Sequence, residues 1–197
     1  IISKKILIKN INLKFWNSIL HRDKAKGVYD MKKLLMSLIA LFVATQIVYA
    51  DELSDIKYRV SELQYQNKNQ EAINVINSAL KKYPNDAELY IHRAKAKDDL
   101  NQKQSAIADL NKAIQLNPKS DDAYFWRAAI KDDLNNISGA KQDISACLSI
   151  NPNNGGCMWW RGLLKFNTTS DISDAEADFE KARMLDNQEI DNILNER

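Results

Sequence analysis

The chain has three prolines, Pro84, Pro118 and Pro152, and both intervals are 34 residues. The same ruler fits Arg59, Arg93, Arg127 and Arg161, and also Asn67, Asn101 and Asn135. Lys97-Asp98-Asp99-Leu100-Asn101 recurs letter for letter as Lys131-Asp132-Asp133-Leu134-Asn135. Ala72, Ala106 and Ala140 mark another line, and Ala79, Ala113 and Cys147 a further one. Several independent markers at one period identify an internal repeat. A unit this short cannot bury its own apolar face, so successive units must stack into a solenoid.

Each unit reads as two helices. Ala106, Ile107, Leu110, Ala113, Ile114 and Leu116 form a helical stripe, and Tyr90, Ile91, Ala94 and Ala96 mark the helix before it. Asn101 suits the left-handed position that ends a helix, Pro118 stops the second helix, and Ser120 can cap the next. The pattern predicts pairs at 53–66 and 69–82, 87–100 and 103–116, 121–134 and 137–150, and 156–167 and 172–185. A short helix near 188–195 is predicted to cover the end of the stack. No motif in the chain suggests β-structure.

These residues resemble the tetratricopeptide repeat (TPR) family. The second unit matches its pattern with Tyr90, Ala94, Ala106, Leu110, Ala113 and Pro118, and the third with Tyr124, Ala128, Ala140, Ile144, Cys147 and Pro152. The first fits with Ile56, Val60, Ala72, Ile76, Ala79 and Pro84. The fourth fits with Met158, Gly162, Ala175, Phe179 and Ala182, carries one extra residue in the Thr168–Ser173 turn, and has Asn187 in place of the proline. The resemblance implies an all-α, right-handed solenoid of four helix hairpins plus a short C-terminal capping helix. The units would be about 53–86, 87–120, 121–154 and 155–188, with the cap at 188–197.

The segment before the repeats differs in composition. The first Met, Met31, opens MKKLLMSLIALFVATQIVYA, with basic Lys32 and Lys33, a nearly continuous apolar run from Leu34 to Val48, and compact Val48 and Ala50 ahead of Asp51. This is the pattern of a secretory signal peptide over 31–50 cleaved after Ala50. The rival reading is an uncleaved anchor, for which 17 apolar-rich residues are at the short limit. Residues 1–30 read as translated upstream extension, outside the fold. Residues 1–50 hold nine Lys/Arg and two Asp/Glu out of 28 and 26, which leaves 19 against 24 and a net of −5 for residues 51–197. That balance gives no reason to expect a nucleic-acid partner, or stable membrane insertion once the signal is removed.

No catalytic, cofactor-binding or metal-ligating set is expected. Five glycines are too few for phosphate loops, and two Cys with two His do not make a conventional zinc module. Beyond residue 50 the one histidine is His92, so neither cysteine has a base to complete a nucleophilic set. Cys147 and Cys157 flank the Pro152 turn at similar distances. In an oxidising compartment they would bridge, and the alternative is two buried structural thiols. The arginine ladder faces Asp109, Asp143 and Asp178 at matching places, with Val75 in the first unit. Interhelical ion pairs are expected, in preference to an anion-binding ladder.

The resemblance places a concave groove on the first helix of each pair. Its lining would be Lys57, Ser61 and Gln64; Ile91, Lys95 and Asp98; Phe125, Ala129 and Asp132; and Trp159, Leu163 and Phe166. Some members clamp a C-terminal carboxylate there with Lys, Asn and Arg, and this lining departs from that set. The aromatics suit a peptide or protein segment with an apolar anchor, unless helix 188–195 folds back over them. The expected function is a non-catalytic protein-interaction adaptor of the bacterial cell envelope, periplasmic or secreted. The alternatives are a self-assembling homo-oligomer and an accessory subunit of an envelope enzyme or secretion complex.

Overall fold

The computed structural model describes residues 31–169 and 172–195. The extension expected over 1–30 lies outside the described residues. Eight helices, and no strand, are found among the described residues: α1 Met31–Tyr65, α2 Asn69–Lys82, α3 Ala87–Asp99, α4 Lys103–Leu116, α5 Asp121–Asp133, α6 Ile137–Ile150, α7 Gly155–Thr169 and α8 Ile172–Asn195. The chain divides into two compact units, Ile1–Glu52 and Leu53–Arg197. In the first, Leu38, Ile39, Leu41, Phe42 and Val43 are exposed. No helix of the described residues is long and apolar enough to cross a membrane.

The second unit is a stack of helix pairs. Its turns are built from the residues that mark the period. Asn67, Asn101 and Asn135 have φ of 56°, 57° and 59°, the left-handed conformation that asparagine tolerates. At each, two backbone bonds close the helix end: Asn101 N–H to Asp98 O at 2.7 Å and Gln102 N–H to Lys97 O at 2.8 Å in the second pair. The same two bonds recur at Asn135 and Asn136, and at Asn67 and Lys68. The opposite turns end in caps. Asp86, Ser120 and Asn154 accept from the N–H of Leu89, Ala123 and Cys157 at 2.9, 3.3 and 2.9 Å.

Packing follows the small-residue lines. Ala94, Ala106, Leu110 and Ala113 are buried with Ala123 and Ile130 of the next pair. Ala128, Ala140, Ile144 and Cys147 are likewise buried with Cys157 and Leu164. Each cluster therefore includes the first helix of the following pair, which is how neighbours supply the core a single pair lacks. The docking positions are buried and apolar in the second, third and fourth pairs: Leu89, Ala123 and Cys157, then Ala96, Ile130 and Leu164. In the first pair they are Asp55 and Glu62, both exposed, so the leading face is polar.

Two boundaries differ from the sequence reading. The first helix begins at Met31 rather than residue 53, because nothing between Ala50 and Leu53 breaks it. The short helix expected near 188–195 is not a separate element, since α8 runs unbroken to Asn195. Pro84, Pro118 and Pro152 end the other three second helices, and Asn187 at the equivalent place cannot. A fold-back of 188–195 over the groove is therefore not observed.

Candidate protein-binding groove

The arginine ladder positions the first helices. Arg93 donates from Nε and Nη2 to the two oxygens of Asp109 at 2.8 and 2.6 Å. Arg127 meets Asp143 in the same way at 2.9 and 2.6 Å, and Arg161 meets Asp178 at 2.9 and 2.5 Å. These are bidentate, charge-assisted pairs, with each carboxylate buried. One turn along, Lys97, Lys131 and Lys165 place a second cation on the same acids at 2.7, 2.7 and 3.1 Å. The free arm of Arg93 reaches back to Asn77 of the previous pair at 2.8 Å, and that of Arg127 to Asn111 at 2.7 Å. Ser145 stands at the matching place before Arg161. Arg59 has no ion-pair partner among the described residues, in keeping with Val75 opposite it. The rungs at Arg93, Arg127 and Arg161 are structural, because both partners of each pair are consumed.

Hydrogen bonding holds Arg93 and Arg161 above the usual arginine value, Asp109 and Asp178 being the respective partners. Burial alone would raise Asp178, but bonds from Arg161 and Lys165 and their charges hold it below the usual carboxylate range.

The expected groove residues fall in different settings. Ile91 is 8% exposed and belongs to the core cluster, so it supplies an edge rather than a contact surface. Lys95 Nζ sits 4.5 Å above the centre of the Trp126 ring, a cation–π contact between neighbouring pairs. Asp98 takes Lys103 at 3.2 Å, and the same ammonium bonds Asp133 of the next pair. Phe125 and Ala129 are half-buried along α5. A Cβ added at Gly156 would come within 2.8 Å of Phe125 Cε2, so glycine there lets that ring lie against the start of α7. Trp159 and Phe166 are 53% and 42% exposed, and Leu163 is half-buried between them. Trp159 leans on Phe179 of α8, ring centres 4.6 Å apart, in an open depression shared with Glu176, Glu180 and Arg183. It marks the last pair rather than the middle of the groove.

Burial, with Asp121 as the next contributor, lifts the carboxyl of Asp122 above its usual value, while Lys95 opposes the shift. Burial and then Asp133 do the same for Asp132. At the N-terminal end Lys57 is held between Asp86 at 2.9 Å and Glu88. Gln64 donates to the His92 carbonyl at 2.9 Å, and its Oε1 lies 2.8 Å from His92 Nδ1. Burial, then the charge of Lys95, pushes the His92 imidazole down. Trp126 and Glu88 were not singled out from the sequence, and His92 was weighed there only as a base. The recurrence of Trp126 and Trp160 at the repeat interval was the available signal for the first.

Cys147 and Cys157 are joined in a disulfide across the last joint, Cα atoms 6.5 Å apart. Beside it Asp121 accepts from Asn151 and Asn154 at 2.8 and 3.0 Å.

The tetratricopeptide repeat model matches residues 87–120 and 121–154. No curated protein matches the chain. Among solved structures, MamA is similar at 20% identity and a TM-score of 0.58, over 83% of this chain and 99% of that one. The first TPR of Spaghetti (RPAP3), bound to the HSP90 peptide SRMEEVD, is similar at 29% identity and 0.51, over 62% and 90%. The first TPR domain of human RPAP3 aligns at 29% and 0.51, over 64% and 92%. Residues 87–154 thus carry two matches to the tetratricopeptide repeat model, within a stack of helix pairs whose fold is shared with solved TPR domains.

Proposed function

We propose that this chain is a non-catalytic protein-interaction scaffold that holds a segment of a partner protein on its concave face. The observation that carries this is the row of apolar side chains on the first helices, half-buried Phe125, Ala129 and Leu163 beside exposed Trp159 and Phe166, on a fold whose similar structures include one with a bound peptide. Three of the four ladder arginines, Arg93, Arg127 and Arg161, are consumed in interhelical pairs and are not offered to an anion.

The proposed setting is the bacterial cell envelope, reached by export. The sequence of residues 31–50 supports it, as do the exposed Leu38–Val43 side chains, which an apolar leader removed before folding would leave without a packing role. The Cys147–Cys157 bridge suits an oxidising compartment. Crosslinked pull-down from an envelope extract tests the assignment. The wild type should retain a partner that Trp159→Ala/Phe125→Ala loses, and unchanged capture by the double variant contradicts the groove.

A further inference from the structure

The chemistry of the partner can be narrowed from the charges left unspent on the groove. Asp122, Phe125, Ala129 and Asp132 are spaced by three, four and three residues, so they share one face of α5. Gly156, Trp159, Leu163 and Phe166 repeat that spacing 34 residues on, along α7. An acid–apolar–acid stripe therefore lies beside an apolar one.

The cations near this surface are engaged elsewhere. Arg93 and Lys97 serve Asp109, and Arg127 and Lys131 serve Asp143. Lys57 is held by Asp86 and Glu88, and Lys103 by Asp98 and Asp133. On α3 and α5 Lys95 is the remaining one among the described residues, lying on Trp126 and offsetting part of the Asp122 charge. Asp122 and Asp132 make no ion pair among the described residues. Two carboxylates without an ion-pair partner among the described residues thus bracket the apolar patch.

We propose that the groove selects a protein segment with an apolar anchor residue flanked by Lys or Arg, and discriminates against acidic tails. This rests on the concave face being the binding face. The two carboxylates stand ten residues apart, about 15 Å along the helix axis. An extended segment covers that distance in about five residues. The matching pattern is basic–x–apolar–x–basic, with the ring entering between the α5 and α7 stripes. An acidic segment such as SRMEEVD, with three acids against one Arg, would meet like charge at its C-terminal end.

Isothermal titration calorimetry of the full chain at low salt tests this with capped peptides SGKAFAKGS, SGEAFAEGS, SGKAAAKGS and SRMEEVD. Two exposed charge pairs gained instead of two repulsions should favour SGKAFAKGS over SGEAFAEGS by about tenfold. SGKAAAKGS should bind at least about fivefold more weakly than SGKAFAKGS, the anchor supplying most of the buried area. Asp122→Asn/Asp132→Asn should bring the basic-to-acidic ratio within about twofold, and Lys95→Ala should move it the other way. SGEAFAEGS or SRMEEVD binding as tightly as SGKAFAKGS overturns the charge assignment and leaves the groove reading standing. Equal binding of SGKAAAKGS overturns the anchor. No binding by any peptide overturns the groove reading as well.

Discussion

The joints between helix pairs are not made alike. At the first two, an arginine pairs with an aspartate of its own hairpin and reaches back to an asparagine of the previous one, Arg93 to Asn77 and Arg127 to Asn111. At the last, Ser145 replaces that asparagine and the Cys147–Cys157 bridge ties α6 to α7. The cations also differ in setting: Arg161 and Lys165 are 43% and 40% exposed, against 17% and 18% for Arg127 and Lys131. A covalent link thus occupies the joint with the weaker polar network. The residues matched by the repeat model, 87–154, are the two pairs whose own arginine both meets its aspartate and reaches back to an asparagine.

That contrast can be broken at several points. Asp143→Ala should have the largest effect, a loss of about 3 kcal/mol in chemical denaturation, because Arg127 and Lys131 are left as partly buried charges without their ion-pair partner. Asp178→Ala should cost clearly less, since water can solvate its cations. Equal losses would remove the distinction between the joints. Replacing both Cys147 and Cys157 with Ala should cost about 2–3 kcal/mol, as expected for releasing a ten-residue loop closure. Hydrogen exchange should then rise in α7 and α8 and stay low in α3 to α6, whereas uniform exchange would contradict a local joint.

Ser145→Asn restores the acceptor found at the inner joints. It should add about 1 kcal/mol, the net worth of one such hydrogen bond. No gain, measured as an unchanged denaturation midpoint, would mean Arg161 does not reach back as Arg127 does. Smallest is a pH effect. Asp178 is held below its usual value in the folded chain, so its contribution is complete above the unfolded carboxyl value of about 3.9 and is lost as the pH falls through the lower folded one. Asp178→Asn should flatten the acid limb of the stability curve for the last pair. An acid limb identical to the wild type would sink that assignment.

Much of the fold was legible because its punctuation is chemical. Proline and left-handed asparagine end helices for reasons that do not depend on tertiary context, and the helix limits from Asn69 to Ile150 fall within one residue of those read from the sequence. Where punctuation was absent, the reading failed: without a proline near Asn187, α8 continued to Asn195. The ion network was half legible. Arg93 and Asp109 stood out, while Lys97, one turn from Arg93, and Asn77, at the repeat interval from Asn111, carried signals of spacing that were not followed. Groove positions were the least legible, because one helix position serves different purposes along the stack. Ile91 is absorbed into the core, Phe125 lies over Gly156, and Trp159 rests on Phe179. Side-chain size and the next helix decide between core and surface there, and neither is visible in the periodicity.

The central claim is that a protein segment binds across the concave face. Its most direct test is site-specific photocrosslinking, with a photoreactive amino acid at half-buried Ala129 on α5 and, in a second chain, at Lys112 on α4 outside that face. In exporting cells the Ala129 probe should give a discrete adduct that disappears in Trp159→Ala/Phe125→Ala, and the Lys112 probe should give none. An adduct at Lys112 alone, or the same adduct from both positions, would contradict the account.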